Sequence, residues 1–220
     1  MQFEKDNIYH IYNQGNNCQP IFYTNENYLF FLKKIKTHIS PFASILAWCL
    51  MPNHFHLMVR VNHEFLWLNS EGFAQSEALA MEQRQNSEPI PLKQRTFNDS
   101  IGIMLRSYTN AINKQEKRSG ALFRKATKAQ CLNKIDGITP SFYNTSQGAL
   151  INIHNPDEDY PNVCFNYIHQ NPIKAKLVTN VEDWHYSSYP DVIGLRNGTL
   201  IDREVINELG LSASTARASL

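Results

Sequence analysis

The stretch "CLMPNHFHLMVR", residues 49–60, puts two histidines one residue apart inside an apolar run, directly after a Pro-Asn pair. Side chains along a β-strand alternate between faces with a period of two. Phe55, Leu57, Val59 and Val61 therefore share one face, and His54, His56, Met58 and Arg60 the other. The first face suits a core. The second offers two imidazole nitrogens side by side, near enough to hold one metal ion. A lone histidine in such a run is more often a satisfied core or surface residue than a ligand. Two on one face shift that balance, because every buried polar atom needs a partner. His-x-His alone remains a weak motif.

Working outward, "NIYHIYNQGNN" from residue 7 reads as a strand entering a turn at Asn13–Asn17. "NENYLFFLKKIKTHI" has Tyr28, Phe31, Leu32, Ile35 and Ile39 at helical spacing, with Asn25 or Asn27 as the cap. "FASILAWCLM" is an apolar strand, and Pro52-Asn53 turns it into "HFHLMVRV" as a hairpin. Strand, helix, strand, strand opens a ferredoxin-like or RNA-recognition-like α+β sandwich, an antiparallel sheet with helices laid on it.

Residues 62–98 are polar, acidic and weakly periodic, and read as an insertion or lid. "SIGIMLRSYTNAINKQEKR" is an amphipathic helix with Ile103, Leu105, Tyr108 and Ile112 on its apolar face, ended by Gly120. "ALFRKATKAQCL" reads as a strand, and 136–158 as a looser insertion. A further helix starts near Pro161 and is ended or kinked by Pro172. From "DWHYSSYPDVIGLRNG" onward the chain reads as peripheral. The organisation is one domain over 1–190 and a C-terminal extension over 191–220.

An apolar fraction of 42% over 220 residues excludes whole-chain disorder. No run of about 18 apolar residues exists, so no membrane partner is expected. The N-terminus lacks the pattern of a signal peptide. Cys18, Cys49, Cys131 and Cys164 show no Cys-x-x-Cys spacing, so a reduced, cytoplasmic protein is expected. The net charge of +1 hides a segregation: Glu64–Leu92 holds five acids and one arginine, whereas Lys93–Lys134 holds ten bases and two acids, a net +8. Such an excess attracts a polyanion, although a solvated helix face is the commoner reason for a charge run. Arg106, Lys114, Lys117, Arg118 and Arg124 are its candidate phosphate contacts, with Tyr108, Phe123 and Phe142 as candidates for base stacking. Each of those aromatics is individually more often core.

Within the late helix, Val163, Tyr167 and Asn171 fall four apart on one face. Two imidazoles, an amide oxygen and waters suit Mg²⁺ or Mn²⁺ at least as well as Zn²⁺. A cation with open positions can polarise a phosphodiester. A free phenol has a pKa near ~10, so a tyrosine nucleophile needs such help. No GxxxxGK[ST] loop is present.

Together, "MPNHFHLMV", "YIHQNPIKAKLV" and "EDWHYSSY" resemble the single-tyrosine HUH transposases, and in particular the branch associated with repetitive extragenic palindromes (REP). "YHIYNQGNN" and "RSYTNAINKQEKRSGALFRKATKAQCL" resemble the same branch. The five motifs occur in order across most of residues 8–190. The resemblance implies the HUH endonuclease fold, His54 and His56 as metal ligands and Tyr167 as nucleophile. Asn171 is the implied amide-type third ligand, with Gln170 as a substitute. Asn13, Gly15 and Asn16 fall in a loop that the family uses near DNA, although Gln14 stands where an arginine is frequent. The implied reaction cleaves single-stranded DNA beside a hairpin or palindromic repeat, through a 5′-phosphotyrosine. Relatives include both monomers and homodimers. Two other readings of the residues remain: a nucleic-acid-binding protein without turnover, and a metal-dependent phosphodiesterase in which water attacks.

Overall fold

The computed structural model describes residues 2–68, 74–75, 93–133, 142–145, 148–151 and 156–213. The chain is α+β, with a four-stranded antiparallel sheet covered by helices. Its elements are β1 (Ile8–Gln14), α1 (Asn25–His38), β2 (Ala43–Met51), β3 (His54–Val61), β4 (Phe65–Leu68), β5 (Ala74–Gln75), β6 (Gln94–Thr96) and α2 (Phe97–Gln115). They continue with β7 (Lys128–Cys131), β8 (Phe142–Thr145), β9 (Gly148–Ile151), α3 (Pro156–Lys174), α4 (Tyr189–Val192) and α5 (Arg203–Glu208). The main sheet runs β2-β3-β1-β7. The described parts of residues 62–98 contribute a small sheet in which β4 lies between β5 and β6.

Period-two alternation in β3 decides which helices cover which face. Phe55 packs against Phe31 of α1 and against Phe123 (ring centres 5.1 and 6.0 Å), and Tyr108 of α2 joins them at 4.8 Å from Phe31. The opposite face, which carries the histidines, is covered as well. Helix α3 lies over it through Cys164, Phe165 and Ile168, leaving Met58 and His56 buried and His54 partly exposed. Each fully buried aliphatic or aromatic side chain contributes roughly 1.5–3 kcal/mol, which is why α3 closes over β2 and β3.

Local signals set the helix ends, several of them away from the expected positions. Thr24, not Asn25 or Asn27, is the N-cap of α1; Asn27 serves from the third helical position, its Oδ1 accepting the Thr24 backbone N–H at 3.2 Å. Thr96 caps α2 reciprocally with Asp99, so this helix begins at Phe97, before the stretch expected to be helical. Its buried stripe runs through Ile101, Met104, Leu105, Tyr108 and Ile112, with Ile103 outside it. It closes at Gln115, well short of Gly120. The strand expected over "ALFRKATKAQCL" is confined to Lys128–Cys131; before it the chain meets the end of β1 without forming a ladder, Phe123 bridging Gly15 and the Arg124 N–H reaching the Gln14 carbonyl.

Helix α3 starts earlier than Pro161 and continues past Pro172 to Lys174. Proline at 172 leaves the Ile168 carbonyl without its usual partner. The Asn171 amide compensates, donating from Nδ2 to the Tyr167 carbonyl at 2.9 Å and toward Ile168 O at 3.5 Å. This side-chain substitution lets the helix pass the proline.

The C-terminal segment is not peripheral. The Leu50 N–H donates to Tyr186 O at 2.8 Å and the Ser188 N–H to Trp48 O at 2.9 Å, so residues 186–188 cover the free edge of β2. His169 of α3 is fully inside, with Nε2 2.8 Å from Ser188 Oγ. Buried Asp191 takes a two-pronged contact from Arg196 at 2.7 Å on each oxygen. Ile201, Val205, Ile206 and Leu211 then join the main core.

Candidate active site

The sheet places the two halves of the site on adjacent strands. In the antiparallel register Tyr12 sits opposite His56 and Gln14 opposite His54. His54 and His56 fall on one face, with rings 5.1 Å apart at 90°, as their spacing requires. Tyr167 comes down on that face from α3, its ring 5.6 Å from His56 and edge-on at 85°. A cleft of about 200 Å³ is lined by Tyr12, Asn13, Gln14, His54, Phe55, His56 and Tyr167. Tyr167 remains 39% exposed, and Lys174 Nζ lies 4.8 Å from its ring centre.

Each imidazole of the cleft has its Nδ1 in a hydrogen bond. His54 Nδ1 is 2.6 Å from Asn53 Oδ1, while Asn53 Nδ2 donates to Cys18 O at 3.3 Å. An amide oxygen only accepts, so His54 carries its proton on Nδ1 and keeps a lone pair on Nε2. His56 Nδ1 lies 2.9 Å from His10 Nε2, and His56 Nε2 is buried without a protein partner. Burial pushes His10 down to about 4. It lowers His54 and drives His56 well below the ordinary range, the latter helped by its neighbours His10 and His54. All three are neutral near pH 7, the state in which imidazole binds metal.

These donors fit a divalent ion. A buried, partnerless imidazole nitrogen in a cleft beside a second nitrogen lone pair is what a bound cation would satisfy. Among the described residues no group of three His, Cys, Asp or Glu side chains could hold a metal ion, so further ligands would be amide oxygens or water. Asn171 and Gln170, the expected sources of that amide, do not line the cleft. The Asn171 nitrogen is committed to backbone repair beside Pro172, leaving its Oδ1 as the atom a cation could take.

The turn after β1 is built from the residues expected to meet DNA. Asn13 is buried, with Nδ2 donating to Thr127 Oγ1 at 2.9 Å and Arg124 O at 3.2 Å, and Oδ1 accepting from the Gln14 N–H. Gly15 packs so closely that an added Cβ would overlap Gln19 O. Asn16 donates from its backbone to Leu122 O and from Nδ2 to Ala121 O. These three therefore clamp the 121–127 segment against the turn.

That segment and α2 form a groove of about 380 Å³ whose lining includes Asn13, Arg106, Arg124 and Lys125, so it shares Asn13 with the histidine cleft. Lys114, Lys117 and Arg118 do not line it. Arg118 is held by Gln19 Oε1 at 2.8 Å and the Tyr23 hydroxyl at 3.1 Å. Of the stacking candidates, Tyr108 is buried with its hydroxyl on Ile21 O, and Phe123 is buried in the core. The Phe142 side chain lies outside the described residues.

His10, Tyr12 and Asn53 escaped the sequence reading. Period-two spacing in "YHIYNQ" puts His10, Tyr12 and Gln14 on one face, but only the β3-β1 pairing brings that face beside His56. Asn53 read as a turn residue alone.

No helix among the described residues is long and apolar enough to cross a membrane. No protein-family model and no curated protein matches the chain. A solved structure of a REP-associated tyrosine transposase bound to a REP hairpin is similar to it, with a TM-score of 0.49 and 14% sequence identity, over 100% of this chain and 93% of that one.

Proposed function

We propose that this protein is a single-stranded DNA endonuclease and strand transferase that works beside hairpin or palindromic repeats. Tyr167 would be the nucleophile, with Mg²⁺ or Mn²⁺ held by His54 and His56. The observation that carries the reading is the half-exposed phenol of Tyr167 facing a pair of neutral imidazoles, one with a buried, partnerless Nε2. The five motifs that resemble REP-associated tyrosine transposases supply the substrate class.

The phenolic oxygen of Tyr167 attacks phosphorus, and the bond from phosphorus to the 3′ oxygen breaks. The phenol proton is lost to solvent, and the departing oxygen takes one up to become a free 3′ hydroxyl. The 5′ phosphate stays on the tyrosine, so the phosphoester is conserved and no nucleotide cofactor is needed for rejoining. A bound divalent cation supplies polarisation of the phosphoryl oxygen. Arg106, Arg124 and Lys125 hold backbone phosphates along the groove beside the cleft, and Lys174 offers positive charge near the phenol.

The test incubates protein and Mn²⁺ with a hairpin oligonucleotide taken from repeats flanking the gene and labelled on the 3′ side of the cut. A labelled adduct that survives denaturation and maps to Tyr167 is expected. Cleavage without an adduct would make water the nucleophile, and binding without cleavage would indicate a protein that retains only recognition.

A further inference from the structure

The strongest unassigned feature is the contact between His10 and His56. His10 is buried on β1, stacked on Tyr12 at 4.7 Å, with Tyr167 edge-on at 6.1 Å. Its register partners are Met58 on β3 and Gln130 on β7, so no carboxylate stands opposite it in either ladder. Its Nε2 meets His56 Nδ1 at 2.9 Å, while His56 Nε2 has no protein partner.

We propose that His10 is a positioning residue that accepts the Nδ1 proton of His56 and so keeps the His56 Nε2 lone pair available for a divalent cation. The inference rests on the reading of His54 and His56 as ligands. Two neutral imidazoles at this separation share one proton between them, and two arrangements are possible. If His10 donated, His56 would carry its own proton on Nε2, stranding a buried N–H without an acceptor, which folded proteins avoid. If His10 accepts, Nε2 is a bare lone pair, the state a metal requires.

The partner histidine follows the same rule. Asn53 Oδ1 takes the Nδ1 proton of His54 at 2.6 Å, so each candidate ligand has Nδ1 engaged and Nε2 free of protons. Oxygen or nitrogen acceptors behind a ligating imidazole set its tautomer and ring orientation. Because the His10 Nε2 is turned onto His56 Nδ1, and no group of three His, Cys, Asp or Glu side chains among the described residues could hold a metal ion, His10 acts through His56 and not as a third ligand.

The test has a metal-free arm and a metal arm. Long-range ¹H–¹⁵N correlation spectra of the metal-free wild type at about pH 7.5 should show His56 protonated on Nδ1; protonation on Nε2 would overturn the proposal. His10→Phe keeps an aromatic ring against Tyr12 but removes the acceptor. It should move His56 toward the Nε2–H form and weaken Mn²⁺ binding by roughly 10–100-fold. His10→Gln, whose amide oxygen can accept, should recover most of that loss. If His10→Phe fails to fold, the wild-type tautomer and the His10→Gln affinity still decide the matter. Wild-type Mn²⁺ affinity in folded His10→Phe would overturn this role alone. Absence of Mn²⁺ binding by the wild type would overturn the ligand reading and this proposal with it.

Discussion

Tyr167 meets His56 edge-on, ring centres 5.6 Å apart, although 111 residues of sequence separate them. The two are joined by the packing of α3 on β2 and β3, and this relationship makes the chemistry of the cleft open to direct test.

Tyr167→Phe should remove covalent cleavage while leaving Mn²⁺ binding and DNA binding unchanged. The Tyr167 hydroxyl has no described hydrogen bond, and the ring contacts with His10 and His56 survive in phenylalanine. The unfolding free energy should change by less than about 1 kcal/mol, the worth of one hydrogen bond. Adduct formation on denaturing gels, with a urea melt of each protein, checks both halves. Normal cutting by the variant would sink the nucleophile assignment.

His54→Ala should reduce Mn²⁺ affinity at least tenfold with a modest loss of stability, because this side chain is only partly buried and its main partner, Asn53, stays anchored on Cys18 O. Calorimetric titration with Mn²⁺ measures the first effect and thermal unfolding without metal the second. Collapse of the fold with unchanged affinity per folded molecule would assign the residue to structure.

Replacing Arg106, Arg124 and Lys125 by glutamine should weaken single-strand binding and flatten its salt dependence, by a log–log slope of about 0.7 for each phosphate that is no longer neutralised. Lys114→Gln with Lys117→Gln should have the smaller effect, because neither side chain lines the groove. Equal slopes for the two sets, measured by fluorescence anisotropy across a salt series, would move the DNA path elsewhere.

Gly15→Ala should destabilise the protein by about 1–3 kcal/mol, since the added Cβ would overlap a backbone oxygen of Gln19 that cannot swing away. Denaturant midpoints at constant m-value report this. Stability equal to wild type would show that the turn relaxes freely.

In the metal-free protein, stability should fall as the pH drops below about 6.5. Burial holds folded His10 at about 4, His169 at about 3 and His56 well below its ordinary value of 6.5. Once unfolded, all three regain that ordinary value and bind protons that the folded chain refuses. Their contribution is complete above about pH 6.5 and is lost progressively toward about pH 4 and below. His10 and His169 each add up to about 1.4 kcal/mol per pH unit to the slope between about pH 6 and 4.5, and His56 adds to it in the same direction. Urea unfolding at half-unit pH intervals checks it. A flat profile would mean that these imidazoles take up protons without unfolding.

By itself the sequence determined what depends on local periodicity. Alternation in "HFHLMVRV" put His54 and His56 on one face, and helical spacing put Tyr167 and Asn171 one turn apart. The strand-helix-hairpin order called for an antiparallel sheet with helices on it. Only the tertiary structure decided what lies across the sheet and beneath the helices. The β2-β3-β1-β7 order made His10 a neighbour of His56, and a hydrogen bond between residues 46 apart leaves no periodic trace. Helix α3 closed over the histidine face of the sheet, burying Phe165 and Ile168, which a period-two pattern in the strand does not encode. Asn171 turned to its own helix backbone, donating to the Tyr167 carbonyl and toward the Ile168 carbonyl that Pro172 leaves without its usual partner. The +8 window was divided among a groove, a helix end and a clamp on Tyr23, because net charge records how many cations a segment has and the fold alone gives them directions.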